Sequence, residues 1–295
     1  MLVGKGRKSY CTVITATTIM QDTGNLFQNL WQGVQYRAGR LFSSGRSKFG
    51  INALSATLLK HRPYNKPGTI RLLGRQVHYL NGLEVLHSVD EIFAEEIYRQ
   101  QFNTDSPYIL DCGSHIGLAV LYYKTQWPGA EVVAFEPDAG NYSILQKNIS
   151  GFQGVTAFQK AIWKEETELT FQSEGTMGSK IGSGADNGKS VSVQTVRLKD
   201  LLVRPIDFLK LDIEGAEYEV LMDCGNSIGY IKNLFIEYHG SFAQNGQLNQ
   251  IFDLVVKNGF SYYIKEATSV YEHPFVPEGV KEHDVQLNIF CRKTG

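Results

Sequence analysis

The sequence has almost no charge imbalance, no clustered cysteines and no long hydrophobic run, and each absence removes a class of function. Among 295 residues the acidic and basic side chains nearly cancel, leaving a formal charge of −1. No global field therefore draws the chain toward nucleic acid or an anionic membrane. Four cysteines, Cys11, Cys112, Cys224 and Cys291, are scattered without Cys-x-x-Cys spacing. That pattern indicates neither a zinc site nor a disulfide framework, and the default location is a reducing cytoplasm. No apolar run reaches the roughly 18 residues of a spanning helix. Lys5, Arg7 and Lys8 before Tyr10 to Met20 imitate the outline of a signal peptide, but Thr12, Thr15, Thr17 and Thr18 make its middle too polar. Arg37, Arg40, Arg46 and Lys48 beside Leu41, Phe42 and Phe49 form a local basic stretch. A solvated helix end and loop is the plainer account, and membrane contact is expected to be peripheral at most.

What is present is ordinary globular material, 42% hydrophobic and 12% aromatic, which is too apolar for disorder and enough for a sizeable core. Length suits one large α/β domain with an appendage. Residues 1–65 are expected to form a helical or poorly ordered extension, 66–104 a hairpin and helix cap, and 105–295 the main domain. In the cap, Thr69 to Leu73 and Val77 to Leu80 read as hairpin arms, Asn81-Gly82 as a turn, and Ser88 with Glu91 as the capping box of a helix through about Gln101. Beyond Pro107, strands and helices alternate, which is how a doubly wound sheet begins. Strands are expected at 108–112, 131–135, 155–158, 206–212, 233–238, 260–265 and 286–291, with helices at 118–125, 139–149, near 216–224 and near 247–258. Two further strands, Thr167 to Gln172 and Ser190 to Val196, flank a Gly/Ser-rich loop too polar for a core, which reads as a flap.

Three strand ends carry the chemistry. The first reads Asp111-Cys112-Gly113-Ser114-His115-Ile116-Gly117 before a helix. Its glycines let the backbone approach a ligand, and helix N-terminal amides favour an anionic group. The Gly-x-Gly-x-x-Gly fingerprint of dinucleotide enzymes is missing, as is a helical Tyr-x-x-x-Lys pair, so a nicotinamide-dependent sugar oxidoreductase is a disfavoured reading. The second strand ends Phe135-Glu136-Pro137, placing a carboxylate where ribose hydroxyls could donate to it. The third runs Lys210-Leu-Asp-Ile-Glu-Gly-Ala-Glu217, a buried strand breaking into carboxylates at a helix start. Ligands of open α/β sheets bind at such carboxyl ends.

Together these segments resemble the motifs of FkbM-type S-adenosylmethionine-dependent methyltransferases, with coverage from about residue 70 onward. Met177-Gly-Ser179 and Ile236-Glu237 add to the likeness. The resemblance implies a Rossmann-like class I methyltransferase fold, with a seven-stranded, mostly parallel sheet containing one antiparallel strand, and O-methylation of a hydroxyl on a sugar, glycolipid, polysaccharide or polyketide-type metabolite. It makes Asp111, Gly113, Ser114, His115 and Gly117 contacts for the methionine part of the cofactor, Glu136 the ribose clamp assisted by Asp138, and Ala161 in Lys160-Ala161-Ile162 a neighbour of adenine. For His115 a solvent-facing loop residue is the plainer account.

Methyl transfer to an alcohol needs in-line positioning and removal of one proton. Asp212 is the first candidate base, and it also abuts the cofactor site. Lys210 shares its face and would steer it, or simply pair with it. His239 has the pKa range of a base. Glu214, Glu237, Ser179 and Tyr271 are candidate acceptor contacts, and Glu214 and Glu217 could equally balance the helix dipole. Asp212, Glu237 and His239 could hold Mg2+. The expected partner is a small-molecule or glycan hydroxyl acceptor, with no nucleic acid, and a homo-oligomer is compatible with the sequence. A non-catalytic scaffold that keeps the fold is the alternative from another class.

Overall fold

The computed structural model describes residues 45–63, 66–172, 180–181, 190–244, 246–276, 278–279 and 281–293. Ser179, most of the Gly/Ser-rich loop and the N-terminal segment lie outside the described residues. Residues Arg46–Gly295 form one compact unit.

A 3₁₀ turn, Gly45–Phe49, leads to helix α1 (Ala53–Lys60), which is capped by Asn52 through its side-chain oxygen. The hairpin β1 (Gly68–Leu72) and β2 (Arg75–Tyr79) then pairs antiparallel, as expected. After it the structure departs from the sequence reading. Asn81-Gly82 does not close a turn but starts helix α2 (Gly82–Val89), because the Asn81 carboxamide accepts from the Leu83 amide at 2.9 Å. Ser88 therefore lies inside a helix and caps nothing, and the chain continues into a π-turn at Asp90–Ala94. The local Ser-x-x-Glu signal lost to a stronger cap seven residues upstream.

The main sheet follows from alternating strands and helices: β3 (Tyr108–Cys112), α3 (Leu118–Gln126), β4 (Glu131–Phe135), α4 (Ala139–Ile149) and β5 (Val155–Phe158). Next come β6 (Ala161–Trp163), β7 (Glu168–Gln172), β8 (Lys180–Ile181) and β9 (Ser190–Arg197), which form a separate four-stranded sheet in the order β6-β9-β7-β8. A short helix α5 (Leu198–Leu201) returns the chain to β10 (Ile206–Leu211), α6 (Glu217–Cys224), β11 (Ile231–Gly240), α7 (Gly246–Lys257), β12 (Phe260–Glu266) and β13 (Val285–Lys293). The seven-stranded sheet has the order β12-β13-β11-β10-β3-β4-β5. Only β13 runs against its neighbours, pairing antiparallel with both β11 and β12. This is the Rossmann-like methyltransferase sheet that the motifs imply.

Period-two alternation divides the core by sheet face. Leu110, Cys112, Leu209, Leu211, Leu234 and Ile236 pack with Val220 and Leu221 of α6 and Ile251 and Val255 of α7. Ile109, Phe208 and Phe235 face the other way, onto Tyr98, onto Tyr123 of α3, and onto the hairpin and α2. Asp111, Lys210, Asp212, Glu237 and His239 share the parity of that second face. Where the aromatic layer stops, at the carboxyl ends of the strands, these polar groups succeed it. Cys112, Cys224 and Cys291 are buried free thiols. Among the described residues, no helix is long and apolar enough to cross a membrane.

Candidate functional site

Three strand ends meet in one cavity of about 520 Å³, a size typical of small-molecule sites. The first loop and the Asp212 turn touch backbone to backbone. The Asp212 amide donates to the Cys112 carbonyl at 3.1 Å, and a Cβ at Gly113 (φ +87°) would lie 1.7 Å from the Asp212 carbonyl oxygen. Glycine is thus obligatory at 113 for both its φ and the close approach. Gly113 and Ser114 amides both donate to the Phe135 carbonyl, fastening the loop to the end of β4 as well. Gly117 (φ +86°) begins α3 and leaves room for Leu145 of α4.

Glu136 is buried, and each of its carboxylate oxygens accepts one backbone N–H, from His115 at 2.8 Å and from Asp138 at 3.0 Å. Burial pushes its pKa up to about 7, against the lowering effect of those two amides. Asp138 caps α4 by accepting from the Asn141 amide at 2.9 Å. Gly113, Ser114, His115, Glu136 and Ala161 line the cavity, as does Asp212. Asp111, Gly117 and Asp138 do not; they stand behind the wall. His115 is only partly exposed, with its Nε2 3.9 Å from Glu84, and burial lowers its pKa to about 4. It faces the cavity rather than open solvent.

Asp111 is completely buried and neither carboxylate oxygen has a hydrogen bond. Its register partner across the β3–β10 pairing is Lys210, whose Nζ lies 3.7 Å away. That ammonium donates to the Gly113 carbonyl at 2.7 Å and to Asp212 Oδ2 at 2.9 Å. Burial opposes the charge on Lys210, but Asp212 and Asp111 overcome it and hold its pKa above the usual lysine range. Burial in turn raises Asp111 to about 6 despite Lys210. Lys210 is therefore both a structural ion-pair partner and the group that aims Asp212 at the cavity wall.

On the far side of Asp212 the turn is tied down by Glu217. This fully buried carboxylate accepts from the amides of Ile213 and Gly215 at 3.0 and 3.1 Å and sits 3.4 Å from His239 Nδ1. It serves the turn's backbone, not merely the helix dipole. The chain makes the bend with Glu214 in the left-handed region (φ +56°), followed by Gly215 (φ +99°). His239 is buried between Glu217, Glu214 at 3.5 Å and Glu237 at 3.8 Å. Burial alone would lower its pKa, yet the Glu217 hydrogen bond and the surrounding carboxylates raise it to about 10. The raised value favours the protonated imidazole, which leaves Asp212 the better placed proton acceptor of the two. Glu214 is raised to about 8 and Glu237 well above the usual carboxyl value, each by burial first and then by Asp212.

The three groups whose ligand atoms converge within 4.8 Å are Asp212, Glu214 and His239, so Glu214 takes the place expected for Glu237. They offer two carboxylates and one imidazole, and no step is assigned to a metal. Tyr271 is also displaced from its expected role. Its hydroxyl donates to Asp284 and its ring stacks on Phe242 at 5.7 Å, away from the cavity lining.

The sequence reading missed the cavity's roof. Asn81, Glu84, His87 and Glu91 reach it from α2 and the following turn, and His283 and Gln286 from the segment entering β13. Only the Asn81 cap was legible in principle, since nothing local states that α2 lies over distant strand ends. Lys160 and Ile162 join Ala161 in the lining, at the turn expected near adenine.

The Methyltransferase FkbM domain model matches residues 111–262, more than half of the chain and all three acidic strand ends. Methyltransferase sdnD of Sordaria araneosa is 26% identical, with 66% of this chain and 90% of the relative covered. The 31-O-demethyl-FK506 methyltransferase FkbM of Streptomyces tacrolimicus is 23% identical over 65% of this chain and 88% of its own length. A solved structure, Methyltransferase FkbM from Methylobacillus flagellatus, is 18% identical with a TM-score of 0.43, and the match covers 64% of this chain and 44% of that one. The matched family domain contains the Gly113 loop, Glu136 and the Lys210–Asp212 pair that build the cavity, and the chain belongs to the FkbM methyltransferase family.

Proposed function

We propose that this methyltransferase uses S-adenosylmethionine to methylate a hydroxyl oxygen of a small-molecule or glycan acceptor. One observation carries the reading: Asp212, oriented by Lys210, lines the same cavity as the Gly113–His115 loop and Glu136. The residues suit the cofactor. Gly113 leaves no side chain between the loop and a ligand, and Glu136 keeps acceptor capacity after taking one amide on each oxygen. In this reading Gly113, Ser114 and His115 flank the amino-acid portion, Glu136 the ribose, and Lys160 to Ile162 the adenine. Bound there, the sulfonium supplies an electrophilic methyl group.

Asp212 accepts the acceptor's hydroxyl proton as its oxygen is alkylated. Lys210 keeps that carboxylate pointed into the cavity, and it donates to Oδ2 alone among the Asp212 oxygens. Glu214 and Glu237, which burial and Asp212 bias toward their neutral forms, can donate as well as accept hydrogen bonds toward neighbouring acceptor oxygens. An oxygen acceptor is further supported by the name of the Streptomyces relative, which specifies a 31-O-demethyl substrate for that protein. No nucleic-acid partner is proposed, in keeping with the near-zero net charge.

Mass spectrometry of host metabolites and glycans with and without this protein should reveal a species gaining one methyl group. With that acceptor in hand, Asp212→Asn should lower turnover by about 10²- to 10⁴-fold, the range for a general base, while S-adenosylhomocysteine binding stays within a few-fold. Unchanged turnover would remove Asp212 from the mechanism. Cofactor binding without any methylated product would favour the scaffold reading.

A further inference from the structure

A second pocket, of about 310 Å³, adjoins the acceptor half of the cavity. The two meet at Ile213, Glu214, His239, Glu282 and His283, which line both. None of Gly113, Ser114, His115, Glu136 and Ala161, the residues assigned to the cofactor, lines the second pocket. Asp212 does not line it either, but Glu214 and His239 do, and their side chains each bring an atom within 4.8 Å of an Asp212 carboxylate oxygen. The second pocket therefore begins one side chain beyond the proposed base and outside the surface assigned to the cofactor.

Its outer walls come from three segments. Successive side chains of β6 alternate in direction, so Ile162 reaches the first cavity and Trp163 the second. Glu219 comes from the first turn of α6, and Ser241 and Gln244 from the turn after β11. Trp163 is half-buried and supplies an apolar wall. Ser241 Oγ donates to Asp284 at 3.3 Å, which leaves its lone pairs to accept. Gln244 is exposed, so the pocket opens to solvent at that end. Glu214, Glu219 and Glu282 contribute carboxyl groups, and neither lysine nor arginine is in the lining. A phosphate or carboxylate would meet groups of its own sign there. A hydroxyl-bearing ring meets an apolar wall for its C–H surface and donors and acceptors for its hydroxyls.

We infer that the second pocket is an acceptor subsite that takes a hydroxyl-bearing ring without anionic groups, such as a sugar residue, joined to the unit being methylated. This rests on the functional reading above and narrows it: the acceptor has at least two linked units. One presents its hydroxyl to Asp212, and the next passes Glu214 and His239 to lie beside Trp163, Glu219, Ser241 and Gln244.

Incubating the full chain with methyl-labelled S-adenosylmethionine and the small-molecule and glycan extract of host cells tests it. Mass spectrometry of the labelled product, before and after cleavage of its glycosidic and ester links, should show a methylated unit and an unlabelled, hydroxylated partner. A labelled product of one ring only would overturn the subsite. Trp163→Ala should raise the half-saturating extract concentration by about tenfold, with the loss in KM rather than kcat, as for a contact remote from the reacting atoms. Calorimetric affinity for S-adenosylhomocysteine should stay within about twofold, because the substituted side chain lies outside the cofactor's surface. Gln244→Ala, at an exposed position that folding tolerates, should give about a threefold rise, the scale of one hydrogen bond, and it carries the comparison if the tryptophan variant does not fold. Unchanged half-saturation in the folded variants would overturn the inference, as would an equal loss of cofactor affinity. A wild-type protein that transfers no label would instead reject the functional reading on which the subsite rests.

Discussion

The two halves of the cavity are built by opposite means. Around Glu136 the work is done by backbone: glycines, amides and carbonyls fix the loop, and one carboxylate is held by two N–H groups. Around Asp212 the work is done by ionisable side chains: Lys210 bridges two carboxylates, and His239 sits among three acidic groups. A backbone-made surface is rigid and suits an invariant ligand. A charge-made surface can exchange partners and protons, which suits the side where an acceptor must be bound and deprotonated. The two meet at one seam, where Gly113 touches the Asp212 carbonyl.

Breaking that seam should have the largest effect. Gly113→Ala puts a methyl group into the Asp212 backbone at a left-handed φ, and it should cost more than about 4 kcal/mol in urea unfolding, the range of severe core defects. A wild-type midpoint would show that the halves are not locked together.

Removing the cation is next. Lys210→Met leaves Asp111 buried without its ion-pair partner and should destabilise by about 3–4 kcal/mol, as breaking buried pairs does. Asp111 already titrates above its unfolded value, so its protonated form favours folding at low pH and its ionised form opposes folding as pH rises through about 6. The Lys210→Met deficit should therefore shrink on moving from neutral pH to below that value, and adding Asp111→Asn should recover part of it. A deficit independent of pH would assign the loss to packing.

The smallest effect sharpens the cofactor half. Glu136 is pushed up to about 7. If its ionised form accepts the ribose, S-adenosylhomocysteine affinity should fall by about tenfold between pH 8 and pH 6, following the ionised fraction. Glu136→Gln should flatten that dependence, and a slope surviving in the glutamine variant would place the titrating group elsewhere.

Much of the fold was legible because it depends on local periodicity. The strands at 108–112, 131–135 and 155–158 and the helix at 139–149 have the bounds that their hydrophobic patterns suggested. The glycine turn and the Lys210 to Glu217 segment were legible as motifs, since their residue types carry a local geometric meaning. The cap was misread where two valid helix-start signals competed, Asn81 against Ser88. Tyr271 was misplaced because an aromatic loop residue finds its partner, here Phe242, only through the path of the chain.

His239 shows the limit most plainly. Its position at the end of a strand and its parity with Glu237 follow from the sequence. Its protonation does not, since that depends on Glu217 and Glu214 arriving from another turn. The sequence by itself determined the sheet, the turns and which acids stand at the strand ends, because those follow from periodicity and local backbone preference. Only the tertiary structure decided which acid is paired, which histidine is ringed by acids and which residues roof the cavity. Burial and charge–charge distance are properties of segments brought together from across the chain.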